Sequence, residues 1–368
     1  MDLIDLSSGA SYFDSPDAAK AAAIEALQKG HTKYGPTEGM LELRAAIADR
    51  YQQEGIGLTP EQVLITPGTK QALFNLFTIL LREGDEVVMP TPAWFGFHSL
   101  FKYSKGVMVS LPTFFSDGYA ITPEALQKVI STKTRILLLT NPGNPSGRLY
   151  LKEELETILK VTADYPELYI ISDEIYDFDT YGRAFPSILS CKGAKTERTI
   201  VVNGFSKTFA MSGWRIGYIA GPREVIAQCT DFQGSTLSGV SLFVQEAALS
   251  ALKNRETDLA AMLTVLTENR EIMQQGLDAI LHVTYYLPDG AYYFFPDLSY
   301  YLGKLTSTGF KLKNSLALCE YLQDEYQLQL APGDNFGAPG HVRMSFAVEK
   351  HKLIEGLERL RQALLNLK

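Results

Sequence analysis

Ile136-Leu137-Leu138-Leu139-Thr140-Asn141-Pro142-Gly143-Asn144-Pro145-Ser146-Gly147 is an apolar run that breaks into a turn rich in proline and glycine. Proline fixes φ and has no N–H for a ladder, so residues 136–140 read as a short strand that must stop at Asn141. A run that is apolar throughout, rather than alternating, belongs to a strand covered on both faces, as in a parallel sheet flanked by helices. The same rhythm repeats outward from this point. Helices are expected over 70–82, 93–103, 124–130 and 152–164, and strands over 87–89, 107–111, 169–172, 199–202 and 216–220. Together they predict an α/β domain with a mostly parallel sheet over residues 34–258. Upstream, Ser15-Pro16-Asp17 reads as an N-cap with proline at the first helical position, opening an alanine-rich helix that stops at Gly30; a second helix is expected over 38–54. Downstream, a long helix over 256–280 and strands at 283–287 and 292–295 predict a smaller α+β domain, formed by residues 1–33 and 259–368.

The chain has 368 residues, room for roughly two domains of about 100–200 residues. With 46% hydrophobic and 21% charged residues it is neither disordered nor collagenous. Against 42 acidic residues stand 34 basic ones, a net charge of −8, so nucleic acid is a poor partner. Cys191, Cys229 and Cys319 form neither a CxxC pattern nor a disulfide framework, and the five histidines show no metal-like cluster, so no metal is expected and a reducing cytoplasm is the simplest setting. The acidic start Asp2-Leu3-Ile4-Asp5 lacks the basic region of a secretory signal, and the longest apolar stretch, 74–81, falls far short of the about 20 residues a membrane span needs.

Ligands of an open parallel sheet sit at the carboxyl ends of its strands, so chemistry is sought in the residues that follow each strand. The 136–140 strand leads to the amide of Asn144, and the 169–172 strand to Asp173-Glu174-Ile175-Tyr176, a carboxylate and a phenol three residues apart. The 199–202 strand leads to Ser206-Lys207, with Arg215 eight residues beyond the lysine. Thr66-Pro67-Gly68-Thr69-Lys70 opens a helix whose free N–H groups can bind an anion. Singly, each has a plain structural reading: a helix cap, a surface charge, a turn. Jointly they supply a phosphate cradle, an amine for a Schiff base and an acid to hold a pyridine nitrogen protonated, which is the set pyridoxal 5′-phosphate (PLP) requires. Gly204-Phe205-Ser206-Lys207-Thr208 misses the GxSxG nucleophile elbow at its last position, and no GxxxxGK[ST] occurs, so hydrolase and P-loop readings fail.

These stretches resemble the class I aminotransferases of PLP fold type I, most of all the bacterial aspartate aminotransferases. The resemblance runs over residues 3–365 and rests on Tyr34-Gly35-Pro36-Thr37-Glu38-Gly39, Gly68-Thr69-Lys70-Gln71-Ala72-Leu73, the Asn141 to Gly147 turn, Ser172-Asp173-Glu174-Ile175-Tyr176, Ser206-Lys207-Thr208 with Gly213-Trp214-Arg215, Asp289-Gly290-Ala291-Tyr292 and Val342-Arg343-Met344-Ser345. It implies that Lys207 carries PLP and moves the proton of the substrate α carbon, that Asp173 pairs with the pyridine nitrogen, and that Tyr176 and Asn144 bond the cofactor's 3′ oxygen. It further implies that Trp94 stacks on the ring. The phosphate is expected on the amides of Gly68 and Thr69, on Ser206 and Arg215, and on Tyr34 given by the second subunit of a homodimer. Arg343 is expected to clamp the substrate α-carboxylate, helped by Asn144 and the Gly9 backbone.

A lysine at the position of Lys70 lies, in the bacterial enzymes this chain resembles, near the substrate's distal carboxylate, which implies aspartate or glutamate as amino donor to a 2-oxo acid; a solvent-facing helix lysine is the plain alternative. Gly9-Ala10-Ser11-Tyr12-Phe13 departs from the Gly-Glu-Pro-Asp-Phe common in relatives, and the N-terminal arm ahead of Gly9 is short, so Tyr12 and Phe13 are expected to make the pocket more apolar. An aminotransferase for aromatic or other neutral amino acids and a PLP-dependent carbon–sulfur β-lyase use the same constellation and stay open. A non-catalytic PLP-binding regulator is disfavoured because no helix-turn-helix segment accompanies these motifs.

Overall fold

A computed structural model describes residues 2–178, 180–195 and 197–368. In chain order its elements are β1 (Ile4–Asp5), α1 (Asp17–Gln28), α2 (Leu41–Gln53), β2 (Val63–Thr66), α3 (Thr69–Leu80), β3 (Glu86–Thr91), α4 (Gly96–Tyr103), β4 (Val107–Pro112), α5 (Pro123–Val129), β5 (Thr134–Thr140), α6 (Lys152–Thr162), β6 (Tyr169–Asp173), β7 (Thr199–Gly204) and β8 (Gly217–Ala220). There follow α7 (Arg223–Thr236), α8 (Leu242–Lys253), α9 (Arg255–Asp278), β9 (Tyr293–Phe294), α10 (Ser315–Tyr326), β10 (Leu328–Gln329), β11 (Ala331–Pro332), β12 (Val342–Ser345) and α11 (Lys350–Leu365).

Seven strands form one sheet in the order β2-β8-β7-β6-β5-β3-β4. Five of them, β4, β3, β5, β6 and β7, run parallel, while β8 is antiparallel to both β7 and β2. Parallel pairing needs a crossover that carries the chain back to the start of the sheet, usually an α-helix; residues 205–216 between β7 and β8 hold only a single 3-10 turn (Ser212–Trp214), so the chain doubles back. Alternate residues of the central strands fill two cores: Leu137, Leu139, Ile170 and Val201 on one face, Ile136, Leu138, Ile171, Ile200 and Val202 on the other. Burial on both faces is why these strands carry no polar alternation. Thr140 pairs with Asp173 and Asp173 with Val202, so the ends of β5, β6 and β7 lie side by side.

The C-terminal residues build a three-stranded sheet, β11-β12-β9, and β1 adds to β10 in parallel, joining the N-terminal segment to this part of the molecule. Helix α1 packs on α8. Two local expectations are corrected. No strand forms over 283–287; Thr284 alone bridges to Asp297, while Tyr285 and Tyr286 turn their hydroxyls to Asp278 and Asp289 and Pro288 has no N–H to extend a ladder. Ser15 is not the cap of α1, whose first residue is Asp17 and whose N-cap position is Pro16. The Ser15 Oγ instead donates to the Ala210 carbonyl (3.1 Å) and accepts from Trp214 Nε1 (2.9 Å), tying the N-terminal segment to the turn after β7. No helix among the described residues is long and apolar enough to cross a membrane.

Candidate active site

The ends of β5, β6 and β7, the N-terminus of α3 and the β12 strand surround one cavity of about 380 Å³. Gly9, Thr69, Lys70, Trp94, Asn144, Asp173, Tyr176, Ser206, Lys207, Arg215 and Arg343 all line it. Gly68 and Tyr34 are not among its lining residues, and Tyr34 stands 92% exposed.

Asn144 is held by its own turn. The Asn141 side chain accepts from the Tyr150 N–H (2.8 Å) and donates to the Tyr150 carbonyl (3.2 Å), pinning the segment between them. From this base Asn144 Oδ1 accepts from Arg343 Nη1 (3.0 Å) and Nδ2 donates to the Tyr176 hydroxyl (3.4 Å), so one amide joins the guanidinium to the phenol.

Asp173 ends β6 and is buried; among the hydrogen bonds of its carboxylate is one accepted from the Ile175 N–H (3.3 Å). Burial pushes it up to about 7, against the pull of that N–H and of the nearby Lys207. Tyr176 is pushed up too, first by burial and then by Tyr293, whose hydroxyl lies 2.9 Å from its own. Lys207 Nζ, on the turn after β7, donates to the Gly9 carbonyl and sits 5.9 Å from the Tyr176 ring centroid.

The anion cradle differs in detail from the expectation. The Gly68 N–H donates to the Thr66 carbonyl (2.7 Å), and the N–H groups left at the first turn of α3 begin with Thr69. Gly68 contributes by its missing side chain: at φ +85° it takes a conformation that favours glycine, and a Cβ there would come within 2.7 Å of Arg215 Nη2. Arg215 is steered by bonds from Nη1 to the Ser212 carbonyl (2.8 Å) and from Nη2 to the Pro67 carbonyl (3.4 Å). Trp94 meets Phe97 edge-on at 5.2 Å, and Lys70 Nζ lies 5.1 Å from its ring.

Arg343 is only 3% exposed, with its guanidinium over the rings of Tyr293 (4.4 Å) and Phe336 (5.0 Å). Nη2 donates to the Ser7 carbonyl (2.7 Å), and the buried Nε has no partner among the described residues. Tyr293 is the residue that sequence reasoning missed. It lines the cavity and bonds the Gly9 carbonyl (3.1 Å), as does its neighbour Tyr292 (2.9 Å). Its signal lies in register: Ser345 shares a face of β12 with Arg343 and pairs with Tyr293. Tyr12 and Phe13, expected in the pocket, pack against each other with ring centroids 4.4 Å apart and do not line it; Phe13 lies in a separate groove against α9. With Ser15 bonded to Ala210, the chain is led away from the cavity just after Gly9.

The residues fit PLP. A buried carboxylate pushed up to about 7 fits a protonated pyridine nitrogen, which would hold it ionised, and an amine lies beside it in the same cavity. Free helix N–H groups, Ser206 and Arg215 stand together where a phosphate could sit, and the partnerless Nε marks Arg343 as a cation with bonding capacity to spare.

The family model of aminotransferase class I and II matches residues 1–360. A bifunctional aspartate aminotransferase and glutamate/aspartate-prephenate aminotransferase of Petunia hybrida is 37% identical over 100% of this chain and 77% of its own length. The aspartate/prephenate aminotransferase of Thermus thermophilus is 36% identical over 99% of this chain and 91% of its own. Among solved structures, the aspartate aminotransferase from Rhizobium meliloti superposes with a TM-score of 0.96 at 33% identity, covering 100% of this chain and 92% of that one. Sequence motifs, cavity chemistry and whole-length likeness therefore agree that this chain belongs to the class I and II aminotransferases, PLP-dependent enzymes that move an amino group between an amino acid and a 2-oxo acid.

Proposed function

We propose that the amino donor is aspartate or glutamate and that transfer to a 2-oxo acid follows a ping-pong course. The observation that carries this reading is Lys70: its ammonium, 5.1 Å from the Trp94 ring, lines the same cavity as the buried Arg343, so a substrate with two carboxylates meets two cations. The names of the Petunia and Thermus relatives support it.

When bound, PLP supplies an aldehyde for the amino group and an electron-poor ring that takes up charge from the substrate's α carbon. Lys207 would be the amine that binds it and would move the proton at that carbon, being tethered beside it. Asp173 would hold the pyridine nitrogen protonated, and Tyr176 and Asn144 would bond the 3′ oxygen. Thr69, Ser206 and Arg215 would hold the phosphate together with Tyr34 of a second subunit, which would make a homodimer the working form; the cytoplasm is its proposed setting. Arg343 offers its Nη groups to the α-carboxylate, which exchanges them from the Ser7 carbonyl and Asn144. Residues 34–258 form the PLP-binding domain, and residues 1–33 and 259–368 the smaller one.

A second reading takes an aromatic or prephenate-like substrate. Trp94, Phe95 and Phe97 form an aromatic side of the cavity, and relatives are named for prephenate as well as aspartate. The test is the absorption spectrum of the PLP-loaded protein on adding aspartate, glutamate, alanine, phenylalanine, cystathionine or, in reverse, prephenate. Conversion to the pyridoxamine form by dicarboxylates, weakened about tenfold more for them than for neutral amino acids in Lys70→Ala, supports the acidic donor. Response to neutral amino acids alone, or release of pyruvate and ammonia, overturns it.

A further inference from the structure

Asp177 directly follows Tyr176 in sequence yet points away from the cavity. It is 4% exposed, and its carboxylate is the meeting point of four side chains from four parts of the chain. Arg50 of α2 donates to it through Nη2, and Arg255, the first residue of α9, holds its Nη2 at 3.9 Å. On the other side it accepts from Asn203 Nδ2 of β7 (3.1 Å) and from the Thr208 hydroxyl (3.2 Å). Glu54 stands behind Arg50, 3.8 Å from its Nε. Thr208 is the residue after Lys207 and is itself 2% exposed. Lys207 thus faces the cavity while its neighbour is moored, on the opposite side of the same turn, to the residue after Tyr176.

A buried ion pair is poor evidence of stability, because desolvating the charges consumes what their attraction returns, and an apolar filling of the same volume often serves as well. What a carboxylate with four partners does provide is a fixed orientation. The turn over residues 205–211 has few anchors of its own: Phe209 N–H to the Phe205 carbonyl (3.1 Å), Met211 N–H to the same carbonyl (3.2 Å) and a long bond from the Ala210 N–H to the Lys207 carbonyl (3.4 Å). Ala210 moreover adopts a φ of +50°, unfavourable for a residue with a Cβ. We propose that Asp177 is a positioning residue for amino transfer: through Thr208 it sets the turn that presents Lys207, and through its chain neighbour it keeps that turn in register with Tyr176. Arg50 and Arg255 keep the carboxylate ionised, holding it below the usual range despite its burial, so that it stays an acceptor for both Asn203 and Thr208.

This rests on Lys207 being the reacting amine, and the variants separate the two statements. Thr208→Val keeps the shape and removes the hydroxyl; Thr208→Ser restores it. Thr208→Val is expected to lower kcat about ten- to a hundredfold with KM changed less than about twofold, the range for a lost hydrogen bond to a charged group that acts on orientation. It is also expected to slow PLP uptake by the cofactor-free protein, followed by absorbance, with Thr208→Ser close to the parent in both. Asp177→Asn should go the same way and further, but it removes the carboxylate that Arg50 and Arg255 share, leaving Arg50 only the more distant Glu54, and can fail to fold, so Thr208→Val decides. A lower melting temperature for Thr208→Val with parental kcat and uptake means packing alone and overturns the proposal, as does a Thr208→Ser that is as slow as the valine variant. Lys207→Ala runs beside them: if it retains turnover, the role of the lysine fails; if it is dead while Thr208→Val is silent, only the positioning role fails.

Discussion

The wall of the cavity made by the strand ends of the large sheet and the wall made by Gly9, Tyr293 and Arg343 are held by different forces. On the sheet side, Asn144, Asp173 and Lys207 sit within one turn of β5, β6 and β7, whose backbones are locked by ladders and by two apolar cores. On the clamp side, the residues come from the N-terminal segment, β9 and β12 and are joined to one another by contacts between distant parts of the chain. Arg343 reaches the Ser7 carbonyl, and the Gly9 carbonyl collects donors from Lys207, Tyr292 and Tyr293. The groups proposed to do the chemistry thus stand on a rigid frame, whereas those proposed to hold substrate depend on where the N-terminal segment is laid. A small shift of that segment acts first on the Arg343 clamp and reaches the amine of Lys207 through its bond to the Gly9 carbonyl.

Lys207→Ala strikes the sheet side and has the largest expected effect. On the proposed roles it removes both the amine that binds the cofactor and the group that moves the proton, so kcat should fall by at least about 10⁴-fold, measured by single-turnover absorbance. Survival of turnover within tenfold of the parent would break the comparison at its root.

Asp173 tests the same wall through stability rather than rate. Its carboxyl is raised from 3.8 to about 7 by burial, so the fold binds its proton more tightly than the unfolded chain does. The protein without cofactor should therefore lose stability as pH rises from about 4 to about 7, by on the order of 4 kcal/mol from this group, and change little from it above that. Glu174, buried beside it and pushed up to about 8, adds a loss of the same sign that extends slightly higher. Asp173→Asn should flatten the lower part of this decline in a series of melting curves, and PLP should narrow the difference between acid and neutral pH in the parent. A cofactor-free protein whose melting temperature rises from pH 5 to pH 8 would contradict the burial argument.

Arg343→Lys sharpens the clamp side with the smallest effect. It keeps the charge but loses the planar fork that spans Asn144 and Ser7, so kcat/KM should drop about thirtyfold, mostly through KM, with PLP uptake unchanged. An equal fall in kcat at saturating substrate would mean that the two walls are not separable.

Much of the sheet wall was legible in the residues themselves. The prolines after Thr140, the acid that ends the 169–172 run and the lysine after the 199–202 run could be assigned because a strand and its turn are governed by interactions a few residues long. The same local rules misjudged Ser15, whose hydroxyl was claimed by Ala210 and Trp214 rather than by its own helix, and residues 283–287, where tyrosines found acids in place of a ladder. The likeness to relatives, not these rules, put Tyr12 and Phe13 in a pocket that the chain turns away from and gave Gly68 an amide that is already bonded within its own turn.

By itself the sequence determined the α/β order, the strand ends and the reactive residues that follow them, because backbone sterics, missing N–H groups and apolar runs act locally. Tertiary structure alone decided that Ser7 meets Arg343 across 336 positions, that Tyr293 lies under the same guanidinium, and that Asp177 moors Thr208. Such meetings depend on how separately formed elements pack, and no run of neighbouring residues carries the position of a partner tens or hundreds of residues away.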